Sequence, residues 1–235
     1  EKFMNCKPFY LYEREGLCNR NNLGISVQCV LTNRGRICFC AMAEGVKQEE
    51  KDETIIAMVL QEVTQWFYET GIPAFCKSNS KNSLYRSLKR EFFMLHQKLL
   101  LHSAEHRFKC KYSLQVLIIT ERGYLGCRVG DGNWMKCKGK KYKLLQKEKE
   151  KKIHFLGEEE RLEIERVSGK NQKDTLYLLF SKACASHFSK KHLCSFVYSA
   201  RKEESVKKVL KELMDRNRER YDDYAYACIC VRTEE

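Results

Sequence analysis

Five apolar or aromatic residues in a row, Leu176 to Phe180, stand between Asp174-Thr175 on one side and Ser181-Lys182 on the other. A run this short, with no polar alternation, reads as a strand covered on both faces. Such a strand needs apolar layers on either side of it, which restricts the chain to folds with a sizeable core. The length of 235 residues allows one, and with only 2 prolines, 12 glycines and no Ser/Gly/Pro-rich linker the reading is a single α/β core. The run also ends on a charge, because Lys182 follows directly on the buried strand.

The other strands and helices follow from periodicity. Leu23, Ile25, Val27, Cys29 and Leu31 alternate with polar residues, and Asn33 to Gly35 turns the chain into Ile37–Ala43, a β-hairpin. Ile55, Ile56, Val59, Leu60, Val63, Trp66 and Phe67 recur at helical spacing, with Gly71 and Pro73 expected to close that helix. A second helix carries Leu84, Leu88, Phe92, Leu95 and Leu99, with Ser83 as its expected N-cap. Tyr112–Thr120, Tyr124–Val129 and Asn133–Lys136 read as an antiparallel meander. Beyond it come strands at Arg161–Val167 and Thr175–Ser181, helices around Lys190–Tyr198 and Val206–Leu213, and a last strand at Tyr224–Val231. Hairpin links between these strands point to an α/β (α+β) fold in which two antiparallel sheets form a central sandwich flanked by helices.

Composition narrows the function classes. The 13 cysteines are odd in number and form no C-x-x-C, so buried thiols suit them better than a disulfide framework. No stretch reaches the apolar length of a membrane span, and no secretory signal pattern is visible; the expectation is a cytoplasmic protein, or a cytosolic domain of a larger one. The net charge of +13 is uneven. Between Lys136 and Lys152 nine lysines face only Glu148 and Glu150, and Lys136, Lys138, Lys140, Lys141 and Lys143 lead that segment. A solvated charged surface accounts for it, and so does docking of a phosphorylated, acidic or nucleic-acid partner. Nucleic acid is disfavoured, since Trp134 and Tyr142 are too few aromatics for a stacking platform.

Several local motifs, in this order of elements, resemble the metal-dependent protein phosphatases, the type 2C or PPM family of serine/threonine phosphatases. The resemblance spans most of the chain. Its most specific part is Gly123-Tyr124-Leu125-Gly126-Cys127-Arg128-Val129-Gly130-Asp131-Gly132, which is similar to the family's Gly-Tyr strand leading into Val-Gly-Asp. The family's Asp-Gly step matches Glu44-Gly45, its Ser-Asp-Gly strand end matches Ser181-Lys182-Ala183 after Leu156-Gly157, and its late Asp-Asn matches Asp222-Asp223. Its N-terminal aspartate, in an Asn-x-Asp context after an arginine, has Arg20-Asn21-Asn22 as the nearest counterpart. The stretch from Asp131 to Ser181 is short for the flap the family carries. The resemblance thus implies an N-terminal segment over residues 1–22 and a PPM-like, four-layer αββα domain over 23–235 with a shortened flap.

Activity in this family depends on two magnesium or manganese ions, which require hard oxygen ligands and activate a bridging water. By resemblance the metal-site positions here are Asn22, Glu44, Gly45, Lys182 and Asp222, and only Glu44 and Asp222 offer carboxylates. A unit cation about 4 Å from a divalent ion, at an effective dielectric near 20, opposes it by roughly 8 kcal/mol. The implied protein is therefore a pseudophosphatase, with no cofactor expected and magnesium or manganese only if it is active. Its implied partner is a protein, phosphorylated or a kinase. The ammonium of Lys182 would stand in for a metal, paired with Asp222 and Glu44; a solvated Lys182 on a loop is the plainer alternative.

Two weaker candidates remain. His102 and His106 stand four apart with Cys110 after them, a spacing that suits zinc, although no fourth ligand is evident and helix ends favour cationic side chains anyway. Ser181 has His187 close in sequence but no acid placed to complete a triad.

Overall fold

The computed structural model describes residues 5–15, 22–46, 52–78, 80–139, 141–145, 153–159, 161–182, 184, 189, 203–215 and 224–234. Their elements are β1 (Asn5–Glu15), β2 (Leu23–Thr32), β3 (Gly35–Gly45), α1 (Asp52–Trp66), a π-turn (Phe67–Gly71), α2 (Ile72–Ser78) and α3 (Lys81–His106). There follow β4 (Tyr112–Thr120), β5 (Gly123–Val129), β6 (Asn133–Lys138), β7 (Lys141–Leu144), β8 (Glu165–Gly169), β9 (Thr175–Phe180), α4 (Glu203–Asp215) and β10 (Tyr224–Glu234). The strands make two five-stranded antiparallel sheets, in the orders β1-β10-β9-β6-β7 and β2-β3-β4-β5-β8. The α+β class and the antiparallel sheets are those the hairpin links imply. The chain divides into two compact units, one of Glu1–Asn19, Asn133–Lys147 and Gln172–Glu235, the other of Arg20–Gly132 and Glu148–Asn171.

The second unit holds the sheet β2-β3-β4-β5-β8 and the helices α1 to α3. Alternation along β3 sends Ile37, Phe39, Ala41 and Ala43 to the face that the helices cover. Val59 and Val63 of α1 and Leu84, Leu88, Phe92, Leu95 and Leu99 of α3 pack there. Burying each such leucine stabilises by about 1.5–3 kcal/mol, against at most about 0.7 kcal/mol separating ordinary residues in helix propensity. The stripe therefore decides how α3 lies. Two polar contacts fix α1 beside it, Trp66 Nε1 to Ser87 Oγ at 2.8 Å and the Lys98–Glu62 ion pair at 2.7 Å.

Gly71 and Pro73 do not close the first helix. The chain widens into the π-turn, where the Ile72 N–H donates to the Phe67 carbonyl, and then continues as α2. Proline has no N–H to give, and a turn that skips one i→i−4 partner is where that loss costs least. The wider turn keeps Phe67 inward, stacked on Phe39 at 4.7 Å between ring centroids. The N-cap of α3 is Ser80 rather than Ser83, its side chain accepting from the Ser83 N–H.

The first unit holds the other sheet. Its β1 pairs with β10 along eleven positions, from Asn5↔Glu234 to Glu15↔Tyr224, a strand that the N-terminal sequence does not announce. The expected meander is also corrected. Its first two strands pair as β4 and β5, but the third, β6, pairs with β7 and β9 in the other sheet. Periodicity identifies strands, whereas partners are chosen by register over long separations. The strand expected at Arg161–Val167 forms later, at Glu165–Gly169. The helix expected around Lys190–Tyr198 lies outside the described residues.

Cys38 and Cys40 are buried with their sulfurs 3.9 Å apart, and Cys228 and Cys230 with theirs 3.6 Å apart. Both separations far exceed the roughly 2.05 Å of a disulfide, so these are thiol pairs on one sheet face. Among the described residues, no helix is long and apolar enough to cross a membrane.

Candidate functional site

In the second unit the ends of β2 and β3 bring three of the singled-out positions together, Asn22, Glu44 and Gly45. Leu23 faces Glu44 across the ladder, and just beyond it the Gly45 N–H donates to the Asn22 carbonyl at 2.8 Å. The Asn22 side-chain Nδ2 returns a bond to the Gly45 carbonyl at 3.4 Å. Asn22 thus closes the end of the hairpin with both backbone and side chain. Glu44, half-buried, faces Ser113 of β4 on the sheet face opposite the helices.

That face carries a polar row. Met42, Gln115, Arg128 and Glu165 are successive register partners across β3, β4, β5 and β8. Arg128 makes an ion pair with Glu165 through Nη2 and donates through Nη1 to the Gly132 carbonyl. One strand end away, Ser113 Oγ donates to Asp131 Oδ1 at 2.7 Å and accepts from the Asp131 N–H at 3.4 Å. Gly130 has φ of 91°, and a Cβ there would stand 2.3 Å from Ser113 Oγ. Only glycine fits that position. Gly130-Asp131-Gly132 is therefore a turn held from two sides, with an Asp131 oxygen engaged by the hydroxyl of Ser113. The Val-Gly-Asp run draws attention to Asp131 in the sequence; its partner Ser113, 18 residues earlier, is chosen by strand register, for which no sequence signal exists.

In the first unit β9 runs between β10 and β6, and all six of its residues are buried. The strand ends as the sequence implies, with a difference in what Ser181 does. Ser181 is fully buried; its N–H donates to the Ala227 carbonyl at 3.0 Å, and its hydroxyl oxygen accepts from the Ala227 N–H at 3.0 Å and the Cys184 N–H at 3.4 Å. A hydroxyl receiving two backbone donors joins β9 to β10, which is a structural role. Lys182, the next residue, is exposed. Asp222, Asp223 and His187 lie outside the described residues.

The basic segment is more ordered than a loop. β6 and β7 form a ribbon through a turn at Gly139, with Lys136 opposite Lys143 and Lys138 opposite Lys141. Opposed residues share a face, and residues two apart along a strand share it too, so these four lysines lie on one side of the ribbon. Lys138, Lys141 and Lys143 are exposed, and among the described residues no carboxylate pairs with them. The Lys136 ammonium lies 5.7 Å from the centroid of the Tyr177 ring. Burial, then the Lys138 and Lys143 ammoniums, lower its pKa. Lys140 and the lysines from Lys147 to Lys152 lie outside the described residues.

No protein-family model matches the chain, and no curated protein matches it. Solved structures do. A serine/threonine phosphatase of S. agalactiae superposes with a TM-score of 0.79 at 12% identity, over 98% of this chain and 100% of that one. The serine/threonine phosphatase Stp1 from Staphylococcus aureus gives 0.74 at 13% identity, over 96% and 95%. RsbX, solved in complex with magnesium, gives 0.63 at 11% identity, over 98% and 100%. At these identities the likeness establishes the fold: the chain has the PPM-like fold of the serine/threonine phosphatases.

Proposed function

We propose that this chain is a pseudophosphatase, a PPM-type scaffold that binds a phosphorylated protein segment without hydrolysing it. The observation that carries the reading is Lys182, a cation placed directly after the buried strand β9 where the resemblance puts a metal-binding aspartate. The donor set as a whole supports the same reading. Two hard divalent ions need several carboxylate oxygens. Asn22 instead presents an amide whose Nδ2 is bonded to the Gly45 carbonyl, and Lys182 presents an ammonium. At the positions that the resemblance assigns to the metals, only Glu44 and Asp222 are carboxylates, too few for two near-octahedral shells, so these residues do not fit the pair of ions. In this reading Lys182 pairs with Asp222 and stands in for a cation, keeping the site folded without metal.

The lysine face of the β6–β7 ribbon is the docking surface in this proposal. Like charges directly opposed across a ladder destabilise it, and this ribbon has two such pairs in succession. Lysines on an edge strand also discourage edge-to-edge pairing, which accounts for Lys141 and Lys143 on β7. It does not account for Lys136 and Lys138, whose strand β6 pairs with β7 on one side and β9 on the other. A phosphorylated ligand would neutralise the face through charge-assisted hydrogen bonds.

Activity and binding assays on the full chain test both halves. With manganese and a small aryl phosphate, no metal-dependent turnover is expected; turnover that disappears in Asp222→Ala would overturn the pseudophosphatase reading in favour of an active enzyme with a divergent metal site. In fluorescence polarisation a phosphoserine peptide should bind more tightly than its unphosphorylated form and weaken at least about tenfold in Lys138→Glu/Lys143→Glu, a loss that follows from removing charge-assisted bonds. Equal binding of both peptides, or tighter salt-sensitive binding of single-stranded nucleic acid, would overturn the assignment of the partner.

A further inference from the structure

We propose that the last turn of α3 binds a divalent transition ion of the zinc class through His102, Glu105 and His106. This site is independent of the phosphatase-like one. Positions i, i+3 and i+4 are neighbours on a helix surface, and one ligand atom from each of these side chains lies within 4.8 Å of the other two. Among the described residues, this is the one group of three His, Cys, Asp or Glu side chains that does so. Cys110, which the sequence spacing offers as a partner, is instead fully buried in the hydrophobic core, and Glu105 takes the third place.

The His106 imidazole has a backbone partner. His106 Nδ1 lies 3.1 Å from the His102 carbonyl oxygen, which can only accept, so Nδ1 carries the proton and Nε2 is left as the ligand. A ring N–H donated to a backbone carbonyl is the usual support of a metal-binding histidine. The His102 ring meets Phe108 edge-on, with centroids 5.5 Å apart at 89°. The rings of His102 and His106 are 4.1 Å apart, close enough to share one ion.

Electrostatics and geometry agree. The C-terminal turn of a helix carries a partial negative charge that favours a cation, while the Arg107 and Lys109 that follow oppose it and hold the affinity below that of a closed structural site. Ligand bonds near 2.0–2.2 Å in a tetrahedral shell place donor atoms about 3.3 Å apart. The donor atoms now lie within 4.8 Å of one another, and rotamer adjustment at the helix end can bring them to that spacing. Two nitrogens and one carboxylate suit zinc, nickel or cobalt rather than magnesium, and the remaining position is open to water or to a side chain of a partner.

Cobalt(II) titration of the full, reduced chain tests this, because its visible bands separate nitrogen–oxygen ligation from binding by the many thiols. One equivalent should bind with the intense visible d–d bands of a four-coordinate ion and no thiolate charge transfer, and should selectively broaden the His102 and His106 imidazole resonances of the unmutated chain. His102→Gln and His106→Gln should each weaken binding at least about tenfold while leaving the metal-free melting temperature unchanged. Saturation with unbroadened His102 and His106 resonances, binding equal in His102→Gln/His106→Gln, or no binding at millimolar cobalt would overturn the proposal. The resonance measurement decides it even if a variant does not fold.

Discussion

Ser181 joins two strands with one side chain, receiving the Ala227 and Cys184 amides while its own N–H reaches the Ala227 carbonyl. Removing a buried acceptor leaves its donors unsatisfied, which costs about 1–3 kcal/mol. Ser181→Ala should lower stability by that amount in urea unfolding at unchanged m-value. A change within error would mean that water replaces the hydroxyl. The pair Ser113–Asp131 works in the same way, and Gly130 allows it by bringing backbone where any Cβ would strike Ser113. These residues are legible in the sequence only as types, Ser at a strand end and Gly-Asp-Gly in a turn. The partners come from register, which depends on how strands far apart in the chain align.

The β6–β7 ribbon shows what an element adds to its residues. A run of lysines predicts charge, but the register places four of them on one face in two opposed pairs. Replacing one member of such a pair by an acid turns repulsion into attraction, worth about 0.2–1 kcal/mol. Lys138→Glu, opposite Lys141, should therefore stabilise the chain by that much at low salt, with the gain shrinking as salt screens it. The readout is the melting temperature at two ionic strengths, and a variant less stable than the parent at low salt would contradict the described pairing. A stabilising change that also weakens phosphopeptide binding would show stability given up for function. The π-turn at Phe67–Gly71 is a second case. Gly71 and Pro73 are breakers by composition, but the apolar stripe continues past them into Phe75, and burial of Phe67 and Phe75 holds the helix together across the irregularity.

At the scale of the whole molecule the buried cysteines contribute to the response to alkaline pH. Burial pushes the Cys127 thiol up to about 12 from an ordinary 9.0. Burial, a hydrogen bond shared with Cys230 and nearby Cys230, Cys184 and Cys137 raise Cys228 well above it too. The folded pKa lies above the unfolded one, so the contribution to stability is complete below about pH 9. It is lost as pH rises toward 12, where the unfolded chain ionises its thiols and the folded one does not. Each such thiol steepens the loss by up to about 1.4 kcal/mol per pH unit. Melting temperature should therefore be flat from pH 7 to 8.5 and fall above pH 9, less steeply in Cys127→Ala relative to its own value at pH 7. Equal slopes for the two proteins would contradict a protonated, buried Cys127.

The amino-acid pattern by itself determined the kinds of element, the antiparallel α+β class, the buried strand ending in Ser181-Lys182 and, by resemblance, the phosphatase-like scaffold. These rest on local periodicity and on which residue types tolerate burial, both of which are written along the chain. Only the tertiary structure decided that β6 leaves its neighbours in sequence for the other sheet, that Asn5–Glu15 forms a strand against β10, and that Ser181 serves the backbone. Each of these depends on a contact across many residues, where the gain of pairing competes with loop closure and with every alternative partner. The identity of a residue states what it can do, and its place among distant neighbours settles which of those things it does.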